Sequence, residues 1–446
     1  MSLGSDAGNH SLLGESYPLA ALLCLLGFFL HMVLSDPLLN SIGIHYSGEE
    51  GRFYEKIHPG TPFIFLSFFV LLWSGKNPID QFFAICIEQG IYVALLILTI
   101  LLFVYLSVRS GPAGLAFFID THMTVPICAI VLCYAPVSYC RKAVHFFIAI
   151  AVLNSCIGIA ESIGKFRIFT FDPAWIVLKE KYFRASALRG HPLNNTMFTA
   201  VALFTAMGLR YPFFVKALLA CVFMISLVAF GGRAGLIFSF AGLLVFAAIS
   251  VKHTFRRGAS LQQIFLIAAM LALIPVCLTG GLYALIHSSM GERILAHAQW
   301  DASAHSRALA FMVFDYTKAD DIIFGMSTDR IMEIAYRMNL AVPLSDIENP
   351  WLLMFMYLGI IAFPFWLLAT LAFIYKLMQG KSLALKLAVL AYFITASTSN
   401  SFGRKDSTYL IMVCAVICAA RAIQMRGDTE RLSPVRLPAS QNDPRI

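Results

Sequence analysis

The chain has 446 residues; 59% are hydrophobic, 13% are charged, and the mean hydropathy is +0.76. Soluble chains carry roughly a quarter charged residues, so an ordinary water-soluble enzyme, a disordered chain and a nucleic-acid binder are excluded as first readings. The net charge of +8 has to be read by where it falls.

The first 16 residues contain no Lys or Arg, so the positive n-region of a cleavable signal is missing. A bilayer core of ~30 Å takes about 20 mostly apolar residues per helix. Segments of this kind lie near 17–36, 61–74, 90–108, 114–135, 142–160, 193–209, 212–230, 234–251, 261–286, 350–375, 382–399 and 407–424. The second is short, and the stretch from Lys76 to Gly90, with Asp80 and Glu88, reads as an interfacial amphipathic helix. The expected fold is all-α, a polytopic integral membrane protein with about twelve transmembrane helices and an external helical cap. One transmembrane domain covers 1–425. The tail over 426–446 is polar, holds Pro434, Pro438 and Pro444, and is expected to be disordered and cytoplasmic.

Short-loop charge sets the orientation. Arg141 with Lys142, Arg210 with Lys216, the Lys252–Arg257 cluster, Lys376 with Lys381, and the tail after Arg421 all fall on one side. The positive-inside rule puts that side and both termini in the cytoplasm. Segments 37–60, 161–192 and 287–349 then face outward. All ten cysteines lie in or beside apolar runs, where cysteine acts as a small hydrophobe, and none builds a disulfide framework in the loops. No internal repeat is visible, and the placement of the long loops disfavours a transporter of two six-helix halves.

Two outer loops concentrate the polar residues. Segment 287–350 holds nine carboxylates and five basic residues, with Ala308, Phe311, Met312 and Phe314 close to helical spacing, so one or two amphipathic helices are expected over the bundle. Segment 161–192 is basic, with Lys165, Arg167, Lys179, Lys181, Arg184 and Arg189, against the positive-inside trend. Guanidinium groups bind phosphate oxygens in bidentate fashion and stay charged, so this loop is a candidate seat for a lipid-linked phosphate or pyrophosphate; snorkelling to headgroups is the alternative. Arg233, in Gly231-Gly232-Arg233-Ala234-Gly235, opens a span after almost no loop, which fits a substrate pocket or a structural ion pair. Arg404 and Lys405 add positive charge on the same side before the last span.

These residues, taken in order, resemble the O-antigen ligase and Wzy-type polysaccharide polymerase superfamily. Arg184-Ala185-Ser186-Ala187-Leu188 is similar to its Arg-x-x-x-Leu motif, and Gly190-His191-Pro192-Leu193-Asn194-Asn195 to its Gly-x-x-x-Asn-Asn segment. Gly232-Arg233-Ala234 resembles the Ser-Arg-(Gly/Ala) element, Asp301-Ala302-Ser303 with Arg307 the Asp-x-Ser…Arg helix, and Phe324-Gly325 the short Gly turn. Glu348-Asn349 followed by Gly359 matches His-Asn-x9-Gly in spacing, with Glu348 where the family's ligases carry histidine. The likeness covers roughly 160–375 and sits closer to the exopolysaccharide polymerase branch, VpsF-like or xanthan-polymerase-like.

That resemblance implies a multi-pass protein of the bacterial inner membrane with a periplasmic cap and active site. It implies an undecaprenyl-pyrophosphate-linked glycan as donor, a saccharide acceptor, contact with membrane lipid, a chain-length regulator protein as partner, and no cofactor. On it, Arg184 and Arg233 would stabilise the leaving pyrophosphate, with Arg189 in support. Glu348 would accept the hydroxyl proton, with His191 and then His305 as alternative bases. Asn195, Arg307, Asn349 and Arg404 would line the substrate; Asn349 also fits a helix cap before Pro350. No metal site stands out, although Glu49-Glu50 keeps a metal-dependent transferase open. The other readings are a ligase with a lipid-core acceptor and a lipid-linked saccharide transporter or flippase.

Overall fold

The computed structural model describes residues 17–46, 52–111, 115–169, 183–256, 309–341, 347 and 349–431. The described residues are helical, without strands. The first half runs α1 (Pro18–Val33), α2 (Asp36–Ser41), α3 (Thr61–Trp73), α4 (Pro78–Glu88), α5 (Gly90–Ser110), a π-helical turn (Phe118–Met123) leading into α6 (Thr124–Cys133), and α7 (Val137–Gly164). Next come α8 (Pro192–Gly208), α9 (Phe213–Phe230) and α10 (Arg233–Arg256). The segment expected to face outward, called the outer segment below, follows, with a 3₁₀ turn (Ala310–Tyr316), α11 (Ala319–Phe324) and α12 (Thr328–Ala341). The chain closes with α13 (Pro350–Met378), α14 (Leu383–Ala396) and α15 (Ser407–Arg431). Proline opens α1, α2, α3, α4, α8 and α13, where its fixed φ suits a helix start and its missing N–H costs nothing.

Among the described residues five helices, α5, α7, α9, α10 and α13, are long and apolar enough to cross a membrane. The pair α3 and α4 makes a sixth if counted as one broken span, bent by 107°. Twelve crossings are therefore not what helix length alone supports. Segments 17–36, 114–135 and 382–399 are apolar but short as helices, the apolar part of α15 covers only Ser407–Ile423, and 261–286 lies outside the described residues. The expected break after Trp73 is present, and Asn77 caps α4 by accepting from the Ile79 amide at 3.0 Å.

Helix α8 runs through the middle, packed by α7, α9, α14 and α15, and is buried on almost every face. At one end of the bundle, basic side chains close helix C-termini. Arg421 donates to the carbonyls of Cys133 and Ala135 beyond α6, the second at 2.8 Å. Lys216 Nζ donates to Met207 O near the end of α8 at 2.8 Å. The Tyr17 amide, before α1, donates to Tyr134 O at this same end. A cation on otherwise unsatisfied carbonyls also opposes the helix dipole.

The outer segment departs from its pattern. Around 308–314 an α-helix was the expectation; the chain instead forms a 3₁₀ turn that buries Ala310 and Val313 at i, i+3 and leaves Phe311 and Phe314 exposed. The amphipathic helix is α12, carrying the ion pairs Arg330–Glu333 (2.7 Å) and Arg337–Glu333 (2.5 Å). Helix α15 continues to Arg431, beyond the expected start of the tail at 426, because polar helix formers outlast the apolar run.

Two glycines dock the outer segment on the bundle. Gly325 has φ +83° and Gly359, at a kink inside α13, has φ +66°. A Cβ on Gly325 would lie 2.1 Å from Tyr357 O, and one on Gly359 2.4 Å from Gly325 N, so the two backbones meet directly. Met326 N donates to Met356 O at 2.7 Å across the contact. Tyr105 Oη and Arg109 Nε of α5 donate to the Phe324 and Gly325 carbonyls at 2.5 and 3.3 Å. Gly359→Ala is expected to destabilise the fold by about 3 kcal/mol through positive-φ strain and overlap, read as a lower Tm in detergent, whereas Ala362→Gly on the same helix shifts Tm less.

Candidate functional site

The basic loop after α7 is shaped from below by one carboxylate. Glu161 is fully buried on the last turn of α7. Its Oε1 accepts the Ile168 amide, and its Oε2 accepts the Ser186 and Ala187 amides, all at 2.8 Å. Asn154, two turns earlier on α7, accepts the Leu188 amide at 3.0 Å. Ala187 sits at φ +37°, a strained value for a residue with a side chain, and these acceptors hold it there.

The same turn sets Arg184 against the end of α9. The Ala185 amide donates to Ala229 O at 3.2 Å, and Arg184 Nε donates to Phe230 O at 3.3 Å. Arg167 reaches over, donating to Arg184 O at 3.1 Å while its guanidinium lies 4.8 Å from the Phe183 ring centre. Arg233 follows Phe230 by three residues. Gly231, at φ +72°, turns the chain there. Gly232 and Gly235 press onto α8: a Cβ on either would fall 2.3 Å from the Thr196 side chain. Arg184, Arg233 and the first turn of α8 thus share one end of the bundle.

At that first turn His191 is the N-cap of α8, its Nδ1 accepting the Leu193 amide at 3.2 Å. Burial, and then the nearby charge of Arg184, lower its pKa to about 3, so the imidazole is neutral at physiological pH. Asn195 is buried and donates through Nδ2 to the carbonyls of Ser186 and His191, the latter at 3.0 Å. Its Oδ1 is buried without a hydrogen-bond partner among the described residues. The α7–α8 loop therefore brings Arg184, His191 and Asn195 together, and the α9–α10 turn sets the backbone of Arg233 at the same end of the bundle.

Arg189 is placed differently. Its guanidinium is buried, and Nη1 donates to the carbonyls of His31 and Met32 at 2.9 and 3.2 Å, closing the end of α1. Nη2 donates to Ser407 Oγ at the start of α15. Burial lowers its pKa, while Asp36 and Asp406 pull it back up. Its contacts are those of a fastener between α1, α8 and α15 rather than of a second cation beside Arg184. Asn349 is the N-cap of α13, with Oδ1 accepting the Trp351 and Leu352 amides, each at 3.1 Å. Trp351 stacks edge-on against Phe402, 4.7 Å between ring centres, in the loop that carries the exposed Arg404. Glu348, His305 and Arg307 lie outside the described residues, as do Glu49 and Glu50. Among the described residues no three His, Cys, Asp or Glu side chains converge as metal ligands.

One constellation escaped the sequence reading. Asp120 lies in the π-helical turn, is almost wholly buried, and gathers Tyr46, His58 and Thr61 around its carboxylate. The signal was Asp120-Thr121-His122 inside an apolar run: an ionisable group within a span marks a functional candidate. Glu161, at the edge of the basic segment 161–192, gave no local sign of its buried role. No protein-family model matches this chain, and no curated protein matches it.

Removing the acceptor of three amides should be costly. Glu161→Ala is expected to lose about 3 kcal/mol of stability. Glu161→Gln, which keeps one carbonyl acceptor, should lose less. Thermal unfolding in detergent, with hydrogen exchange at 185–188, checks both.

Proposed function

We propose that the chain is a membrane glycosyltransferase that polymerises undecaprenyl-pyrophosphate-linked oligosaccharide repeat units, on the resemblance of its motifs to the O-antigen ligase and Wzy-type polymerase superfamily. On this reading it crosses the bacterial inner membrane about twelve times, counting its short apolar helices as spans, with both termini cytoplasmic and the Arg184 end periplasmic. The observation that supports the reading is the docking of Arg184 against Phe230, three residues before Arg233, so that two arginines from separate stretches lie at one end of the bundle.

In the proposed reaction the acceptor hydroxyl oxygen bonds to the donor's anomeric carbon with inversion as the bond to the pyrophosphate oxygen breaks. The electron pair leaves with the lipid pyrophosphate, whose growing charge Arg184 and Arg233 stabilise; fixed cations aimed at developing charge are among the strongest catalytic devices. Glu348 takes the hydroxyl proton. His191 is a poor base here, because its Nδ1 lone pair is engaged by the Leu193 amide and its basicity is depressed. Asn195, whose Oδ1 has no partner among the described residues, is a candidate hydroxyl ligand. Arg189 supports the site by holding α1 and α15 against the start of α8.

The test uses membranes supplied with lipid-linked repeat units. Glu348→Gln should abolish chain extension. Arg184→Lys and Arg233→Lys should each lower turnover about 100-fold, because lysine cannot make bidentate contacts with a diphosphate. Near-normal extension in both arginine variants removes the leaving-group assignment. Wild-type extension should persist in EDTA, and loss there would favour a metal-dependent transferase.

A further inference from the structure

The Asp120 constellation lies apart from the arginine site, and its hydrogen bonds have a direction that can be worked out. Thr61 Oγ1 is 2.6 Å from Asp120 Oδ1 and 3.1 Å from His31 Nε2. A hydroxyl has one proton to give. If the carboxylate is ionised, Thr61 donates to it and His31 must donate through Nε2–H. If the carboxyl is protonated, it donates to Thr61, Thr61 donates to His31 Nε2, and the imidazole carries its proton on Nδ1. The same heavy-atom positions serve both arrangements. The two differ by one proton and by the histidine tautomer.

The rest of the surroundings is compatible with either state. Asp120 Oδ2 accepts from Tyr46 Oη at 2.9 Å and from the His58 amide at 3.0 Å, contacts that a carboxyl carbonyl oxygen keeps. His58 is a fixed tautomer: Nε2–H donates to Leu34 O at 2.8 Å and Nδ1 accepts the Gly60 amide at 3.0 Å. Burial lowers its pKa to about 4, so it stays neutral. The His31 ring stacks on it, centres 3.7 Å apart, and His31 Nδ1 is buried with no hydrogen-bond partner among the described residues. Among the described residues no Lys or Arg makes an ion pair with Asp120. Lys405 comes nearest through Tyr46, donating to its carbonyl at 2.6 Å and lying 4.4 Å from its ring centre. Burial lowers the Lys405 pKa to about 8 against the pull of Asp120 and Asp36. Asp36, Arg189 and Asp406 complete the nearby charges, with His122 on the same turn as Asp120.

We propose that His31, Thr61 and Asp120 form a buried proton-binding relay, in which one proton taken up at His31 Nδ1 appears on Asp120 without movement of the heavy atoms. The step balances: Nδ1 gains a proton, Nε2–H passes to Thr61 Oγ1, and the Thr61 hydroxyl proton passes to Asp120 Oδ1. Imidazole stays neutral before and after. The relay does not rest on the polymerase reading.

The experiment is pH-difference infrared spectroscopy of the full-length protein in lipid bilayers. In the wild type, a carboxylic-acid C=O band should grow in on acidification together with the change of histidine ring bands from the Nε2–H to the Nδ1–H tautomer. Asp120→Asn should remove the C=O band and Asp36→Asn and Asp406→Asn should keep it; carbon-13 aspartate in the wild type identifies it as an aspartate band if the Asn variant does not accumulate. His31→Gln should remove the ring change. Thr61→Ser should behave as wild type, whereas Thr61→Val should uncouple the two signals and move the C=O midpoint by at least about one pH unit. The proposal is overturned if no aspartate band titrates in the wild type, or if Thr61→Val leaves the two signals coupled.

Discussion

A helix that ends inside an apolar bundle leaves amides or carbonyls that water cannot reach, and each must find a partner in the protein. That constraint explains several of the polar side chains among the described residues. Arg421 and Lys216 close carbonyl ends of α6 and α8 at one face; Arg189 closes α1 at the other. Glu161, Asn154, His191 and Asn349 do the reverse work, accepting amides that loops and helix starts would leave bare. The candidate site is assembled from these closures. Arg184 takes its position because Glu161 grips the turn behind it and Phe230 offers a carbonyl in front.

Much of the helical layout was legible because burial in an apolar solvent leaves long apolar runs in the sequence. Eleven of the segments chosen on that ground coincide with helices, and the break after Trp73 followed from Asp80 and Glu88. Length was less legible. A run such as 114–135 is apolar throughout, yet its helix opens with a π-turn around Asp120, and composition gives no sign of a changed hydrogen-bond register. The 3₁₀ turn at 310–316 misled for a related reason, since three-residue and four-residue periods cannot be told apart over seven residues.

The candidate site divides in the same way. Arg233, His191 and Asn195 could be singled out because each lies next to a glycine, a proline or a span boundary, and Arg184 because it opens the Arg-x-x-x-Leu-like stretch of a basic loop; the structure places them at one bundle end. Arg189 looked equivalent to Arg184 from composition alone. What separates them is a partner 158 positions away, the His31 carbonyl, which local sequence does not announce. The Asp120 group, with His31, draws on four separate stretches of chain, and only its lone acid within an apolar run was there to be seen.

The contact between Gly325 and Gly359 bears on how the molecule can move. Backbone lies on backbone there, with no side chain between to yield, and Tyr105 and Arg109 bolt the same spot to a third helix. A hinge pinned on three sides transmits displacement instead of absorbing it. Any tilt of the outer segment is therefore handed to the bend in α13, and from its first half to Trp351 and Phe402 beside the loop of Arg404.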